Sequence, residues 1–187
     1  MAKLVDALVS KTSELAHAGS IPALGTFLLL LSKSTSFFMD NDSQTTSSKK
    51  QEQLDRRYLK MAKIWAENSY CKRRKVGALI VKNKMIISDG YNGTPQGFEN
   101  ICENEKNETK AYVLHAEANA ITKVAKSNQS SEGSTLYVTT SPCIECSKLI
   151  IQAGIRRVVF YDKYRDDSGL NLLKRAKIEV IHIDSNT

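Results

Sequence analysis

Four residues in two short blocks hold the chemistry of this sequence. His115 and Glu117 stand two apart in Leu114-His115-Ala116-Glu117, and Cys143 and Cys146 stand three apart in Ser141-Pro142-Cys143-Ile144-Glu145-Cys146. One imidazole and two thiolates make three metal ligands. A catalytic zinc ion takes three protein ligands and leaves one position for water, and a water so bound loses its proton near neutral pH. Glu117 follows a ligand too closely to be a fourth. It is placed instead to accept the proton and hand it on as a general acid and base. The cysteines enter as thiolates, the form that binds metal.

Such a site needs rigid supports, and the flanking residues provide them. Ala116 to Ala125 is alanine-rich with Ile121 and Val124 on one side, which predicts a helix starting at or just after His115. Pro142 reads as the start signal of a second helix running through Cys146 to Ile151. Both blocks then lie at helix N-termini, whose partial positive charge favours thiolate and hydroxide. Residues two apart on a helix point in different directions, so His115 and Glu117 share a site only at a first turn. Each piece alone has a plainer meaning. A single C-x-x-C also fits a redox pair or half of a structural zinc site, a lone histidine fits a core, and a lone glutamate fits a solvated face. Their joint occurrence, each at a predicted helix start, favours the catalytic zinc.

A second region narrows the chemistry. Val76 to Val81 and Met85 to Ser88 are apolar runs split by Lys82-Asn83-Lys84, which predicts a hairpin of two buried strands. Gly90, Gly93 and Pro95 mark an irregular loop at its end.

His-x-Glu followed by Pro-Cys-x-x-Cys is the pattern of the zinc-dependent nucleobase deaminases. Within that group, the chain resembles the deoxycytidylate (dCMP) deaminase family from about Tyr58 to Asp184. The matching residues are the basic stretch before Val76-Gly77-Ala78, the loop Gly90-Tyr91-Asn92-Gly93-Thr94-Pro95, the block Val113 to Ile121, Thr135-Leu136-Tyr137-Val138-Thr139, Ser141-Pro142-Cys143 and Ile150 to Ile155. The Gly90 to Pro95 loop favours dCMP over nucleosides or transfer RNA. The resemblance implies an α/β fold, a three-layer α/β/α sandwich with a mixed five-stranded sheet, and the zinc-dependent conversion of dCMP to dUMP and ammonia. It implies that Asn92 bonds the sugar, that the backbone around Ala116 and Ser141 reads the base edge, and that Tyr161 or Tyr164 lies near the base or phosphate. Asn92 also fits a simple turn asparagine.

A nucleotide needs a phosphate anchor. Lys72-Arg73-Arg74-Lys75 is the densest basic cluster, and the planar fork of arginine suits phosphate. Arg73 and Arg74 are therefore candidates for the 5′-phosphate or a regulatory nucleotide. A run of charges is also a common solvated face.

At 187 residues the chain fits one domain with a tail. The net charge of +7 suits an anionic substrate and equally nucleic acid. The lysines and arginines are scattered, however, and no stripe of basic and aromatic residues predicts a polynucleotide channel. No stable nucleic-acid partner is expected. The four cysteines point to a reducing compartment and not to a disulfide scaffold. Some relatives use cysteines near Cys71 and Cys102, with a histidine, for a second structural zinc. Only His17, His115 and His182 are present, so no second site is expected.

Residues 55–185 read as the CMP/dCMP-type deaminase domain, with elements in the order αββαβαβαβ, and 39–54 as a polar, disordered lead-in. Residues 1–38 read as a non-native extension or as disordered. Phe27 to Leu31 is too short to span a bilayer. Lys3, Lys11 and the apolar Ile21 to Leu31 suggest a secretory signal, but no small-residue cleavage site follows. Met1 to Thr26 looks like translation through a transfer-RNA gene, so Met39 is the expected start. N-terminal sequencing from the native host checks this, and a chain beginning earlier refutes it. The expected setting is cytoplasmic, without a membrane, and as a homo-oligomer, since relatives are often hexamers. Many relatives are controlled by dCTP and dTTP, which brings in a regulatory nucleotide with Mg2+. Two rival functions remain: a deaminase of the same fold acting on cytidine, guanine or transfer-RNA adenosine, and a non-catalytic nucleotide-binding module. A substrate panel separates the first, and zinc content with a Glu117→Gln variant separates the second.

Overall fold

The computed structural model describes residues 25–185. It divides into two units, Met1–Thr46 and Ser47–Thr187. Of the expected extension 1–38, residues 1–24 lie outside the described part. Residues 25–38 and the polar stretch 39–54 belong to helix α1, Gly25–Ala66. This differs from the expected disordered lead-in. No glycine or proline interrupts the chain between Thr26 and Val76, so nothing local breaks the helix.

In the second unit, α1 presents one buried stripe: Asp55, Tyr58, Leu59, Ala62 and Ala66. The spacing of three to four residues keeps them on one face. After α1 come β1 (Gly77–Lys82), β2 (Met85–Tyr91), α2 (Ala116–Ala125), β3 (Thr135–Thr140), α3 (Ile144–Gln152), β4 (Arg157–Asp162), α4 (Ser168–Arg175) and β5 (Glu179–His182). The expected order is therefore the observed order.

The sheet runs β2-β1-β3-β4-β5. β1 is antiparallel to both β2 and β3, while β3, β4 and β5 are parallel. A mixed sheet of this kind needs helices on both faces, because its central strands are apolar on both sides. Ala78, Ile80, Leu136, Val138, Val158 and Phe160 face the layer of α2, α3 and α4. Leu79, Val81, Tyr137, Val159 and Tyr161 pack with Tyr58, Leu59 and Ala62 of α1. The period of two along each strand sorts these side chains into the two cores.

The β1–β2 turn has Asn83 at φ 51° and Lys84 at φ 63°. Two successive left-handed residues match the right-handed twist of a hairpin. The Tyr58 hydroxyl donates to the Lys84 carbonyl at 2.8 Å, which ties the turn to α1. At Gly90, α2 lies against β2: a Cβ there would meet the Ala116 carbonyl oxygen and lie 2.7 Å from the Ala120 nitrogen. Among the described residues, no helix is long and apolar enough to cross a membrane.

Candidate active site

His115 is the N-cap of α2, with extended backbone at φ −75° and ψ 159°. Glu117 therefore lies in the first turn, the one place where the two side chains can converge. Cys143 is the N-cap of α3, with φ −73° and ψ 172°, and helix begins at Ile144. The expectation for Pro142 is corrected here: it precedes the cap and is not the first helical residue. Proline at this position disfavours helix at Ser141, the residue before it.

The two helix starts meet. His115 Nδ1 lies 3.4 Å from the Cys143 sulfur and 3.3 Å from the Cys146 sulfur. The ligand atoms of the three residues all lie within 4.8 Å of one another, close enough for one ion to touch all three. Two soft sulfurs and an imidazole suit zinc better than magnesium or calcium. The donor set therefore fits the ion that the sequence suggests.

Electrostatics divide the roles. Hydrogen bonds accepted from Cys146 and from His115 outweigh burial and bring the Cys143 thiol down to about 3. The Cys143 interaction and burial push the Cys146 thiol up. The two thiols are thus coupled to each other, and ligation to a metal would deprotonate both. The hydrogen bond with Cys143 raises His115 against the opposing effect of burial, with help from the Glu117 charge. Glu117 is only 4% exposed. Burial pushes its carboxyl up, opposed by a backbone N–H and the His115 charge.

A cavity of about 760 Å³ opens over this cluster, within the size range of small-molecule sites. His115, Glu117 and Cys143 line it together with Arg73, Arg74 and Arg165, and the Arg74 guanidinium lies 3.9 Å from the Asp162 carboxylate. Asn92, Ala116, Ser141 and Tyr164 also line it.

Several of the predicted side chains are already engaged. Asn92 Oδ1 accepts the Val76 N–H at 2.8 Å, and its Nδ2 donates to the Arg74 carbonyl at 2.8 Å. Asn92 thus staples the basic stretch to the loop after β2, with one amide hydrogen left over. Ser141 Oγ accepts the Tyr164 N–H at 2.7 Å, which fixes the loop after β4 over the cavity.

Tyr161 is corrected. It is buried on the α1 face of the sheet, and its hydroxyl meets the Arg56 carbonyl at 3.4 Å. The alternation along β4 aims Phe160 at the α2–α4 layer and turns Tyr161 the other way. The tyrosine at the cavity is Tyr164. The cysteine expectation is also corrected: Cys71 and Cys102 are joined by a disulfide, with their Cα atoms 5.1 Å apart. Among the described residues, the free cysteines are Cys143 and Cys146.

Residues 52–162 match the family described as the cytidine and deoxycytidylate deaminase zinc-binding region. The chain belongs to this family. Its relatives include the deoxycytidylate deaminase of Saccharomyces cerevisiae, 36% identical over 137 residues, which cover 67% of this chain and 43% of that protein. The deoxycytidylate deaminase of Enterobacteria phage T4 is 33% identical over 168 residues, covering 67% of this chain and 87% of the phage protein. The dCMP deaminase of cyanophage S-TIM5, crystallised in complex with dCMP and dUMP, superposes with a TM-score of 0.66. It is 47% identical, over 67% of this chain and 93% of that one. The chain thus spans under half of the yeast protein and most of both phage proteins. The matched segment holds His115, Glu117, Cys143 and Cys146 together, so the family's zinc-binding character and the three-ligand cluster coincide.

The motifs did not mark Glu103, Thr109 or Arg165 at the cavity. Arg165 follows Tyr164 directly, and its charge was the one available signal. Glu103 and Thr109 lie in a polar loop with no periodicity to read.

Proposed function

We propose that this chain is a zinc-dependent deaminase converting dCMP to dUMP and ammonia, in pyrimidine deoxynucleotide metabolism. One observation carries the reading: a His115-Cys143-Cys146 donor cluster with a buried Glu117 beside it, in a cavity whose wall bears three arginines. His115, Cys143 and Cys146 hold the ion, and zinc when bound supplies the Lewis acidity that brings the pKa of water near neutral.

Glu117 then manages the protons. Its carboxylate accepts the proton of the attacking water and delivers it to the ring nitrogen beside C4. As the water oxygen bonds to C4 and the C4–amino bond breaks, Glu117 passes the second water proton to the departing amine, which leaves as ammonia. A buried carboxyl with a raised pKa suits this exchange, because general acid–base transfer works best with a pKa near the operating pH.

Arg73 and Arg74 take the 5′-phosphate, where bidentate guanidinium contacts are strong. The spare amide hydrogen of Asn92 meets the sugar, the backbone at Ala116 and Ser141 reads the base edge, and Tyr164 covers the base or phosphate. The protein works in the cytoplasm as a homo-oligomer, and any control by dCTP and dTTP acts through a nucleotide with Mg2+. Rate measurements with each triphosphate and magnesium at sub-saturating dCMP check that control; flat rates end it.

The deciding experiment is a steady-state panel on dCMP, CMP, deoxycytidine and guanine, with metal analysis of the same sample. The expected result is zinc near one per chain and the highest kcat/KM on dCMP. A zinc-loaded protein inert toward dCMP overturns the reading.

A further inference from the structure

The nucleotide reading assigns Arg73 to the phosphate, and a buried carboxylate outside every motif holds that arginine. Glu103 is 8% exposed. Its Oε1 accepts the backbone N–H of Lys72 at 2.9 Å and of Arg73 at 3.1 Å. Thr109 bridges to Glu103 across the loop, and its Oγ1 accepts from the Arg73 guanidinium at 3.1 Å. One loop thus grips both the backbone and the head of Arg73. The Cys71–Cys102 bond joins the same two segments, one residue before Lys72 and one before Glu103. Arg73, Glu103 and Thr109 all line the cavity above His115 and Glu117.

A free carboxylate in a phosphate site repels its ligand. For Glu103 that repulsion is weakened because one of its oxygens faces two N–H donors, which are strong partners for a charged acceptor. Its removal leaves two N–H groups without their acceptor and frees the segment that carries Arg73. The hydrogen bonds of Glu103 run to the backbone of Lys72 and Arg73 and not to His115, Cys143 or Cys146.

We propose that Glu103 is a positioning residue for the phosphate end of the substrate, acting through Arg73. The inference rests on the nucleotide reading above. It predicts a change in how the phosphate is held, with the chemical step untouched.

The test uses the zinc-loaded full chain and the variants Glu103→Ala, Glu103→Gln and Thr109→Val. The readouts are KM and kcat for dCMP and the inhibition constant of inorganic phosphate. Glu103→Ala is expected to raise KM and the phosphate inhibition constant about tenfold, with kcat and zinc content kept, as loss of a charged hydrogen-bond acceptor predicts. Glu103→Gln keeps a carbonyl acceptor and recovers most of the loss. Thr109→Val, which frees only the guanidinium, raises both constants by less. A fall in kcat at unchanged KM overturns the role, and so does a Gln variant as impaired as the Ala variant. Should Glu103→Ala not fold, Thr109→Val decides, and unchanged constants there overturn the role. Wild-type turnover separates the two readings. A wild type inert toward dCMP sinks the assigned function, whereas an active wild type matched by its variants sinks only Glu103.

Discussion

Asp55 and Arg157, 102 residues apart in sequence, form a two-pronged ion pair under the sheet. Arg157 NH1 and NH2 donate to the Asp55 carboxylate oxygens at 2.8 and 2.6 Å, and the Tyr137 hydroxyl donates to the same group at 2.7 Å. The pair links α1 to β4, while Tyr137 adds β3. Removing one partner of a buried pair strands the other charge, so Asp55→Ala is expected to cost about 3–5 kcal/mol. Chemical denaturation of wild type and variant, with zinc present, measures it.

The same pair gives a signature in pH. Burial pushes the Asp55 carboxyl up, but hydrogen bonds from Arg157, Tyr137 and Gln51 and the Arg157 charge outweigh it and hold it below its ordinary 3.8. A depressed folded pKa stabilises fully above the unfolded value, and the contribution fades as pH falls through the folded value. The stability gap between wild type and Asp55→Asn is therefore expected to be constant from neutral pH to about one unit above 3.8, then to shrink in stronger acid. Melting curves across that range check it, and a gap independent of pH contradicts it.

Glu117→Gln keeps the size and burial of the side chain and leaves His115, Cys143 and Cys146 in place. It is expected to retain zinc and lose kcat by about 10²–10⁴-fold, the usual worth of a general acid and base. Metal analysis beside single-turnover rates gives the answer, and undiminished turnover removes Glu117 from the chemistry.

Replacing Arg73 and Arg74 together with alanine is expected to raise the dCMP KM by about a hundredfold or more, from hydrogen bonds to charged groups worth about 1.5–3 kcal/mol each. Deoxycytidine lacks the phosphate and is expected to change little. Equal effects on both substrates exclude a phosphate role.

Gly90 is where α2 comes down on β2. A methyl group there would meet the Ala116 carbonyl and the Ala120 nitrogen, both backbone atoms that cannot step aside. Gly90→Ala is expected to cost about 1–3 kcal/mol through overpacking. It also shifts the helix start bearing His115, so weaker zinc retention on dialysis against a chelator accompanies the lower Tm.

How much of this was legible follows from range. His115, Glu117, Cys143 and Cys146 were readable because each pair sits within one helix start, where spacing dictates direction. The five strands were readable because β1, β3 and β4 are apolar on both faces. Asp55 stands at the first position of the predicted domain with nothing to mark its ion pair, since its partners Tyr137 and Arg157 are distant in sequence. Sequence spacing does not separate Tyr161 from Tyr164, because only strand register tells which face a residue on β4 takes. The Cys71–Cys102 contact depends on how the loop after Pro95 folds back, and that loop has no periodicity to betray its path.

The hairpin tip holds a lysine where the backbone asks for glycine. Lys84, at φ 63°, sits in a conformation that costs an L-residue on the order of 1 kcal/mol. Lys84→Gly would create an Asn-Gly tip and is expected to raise the melting temperature with the site unchanged. This corner of the molecule therefore offers spare robustness: an engineer can raise heat tolerance there without disturbing the chemistry at the far end of the sheet.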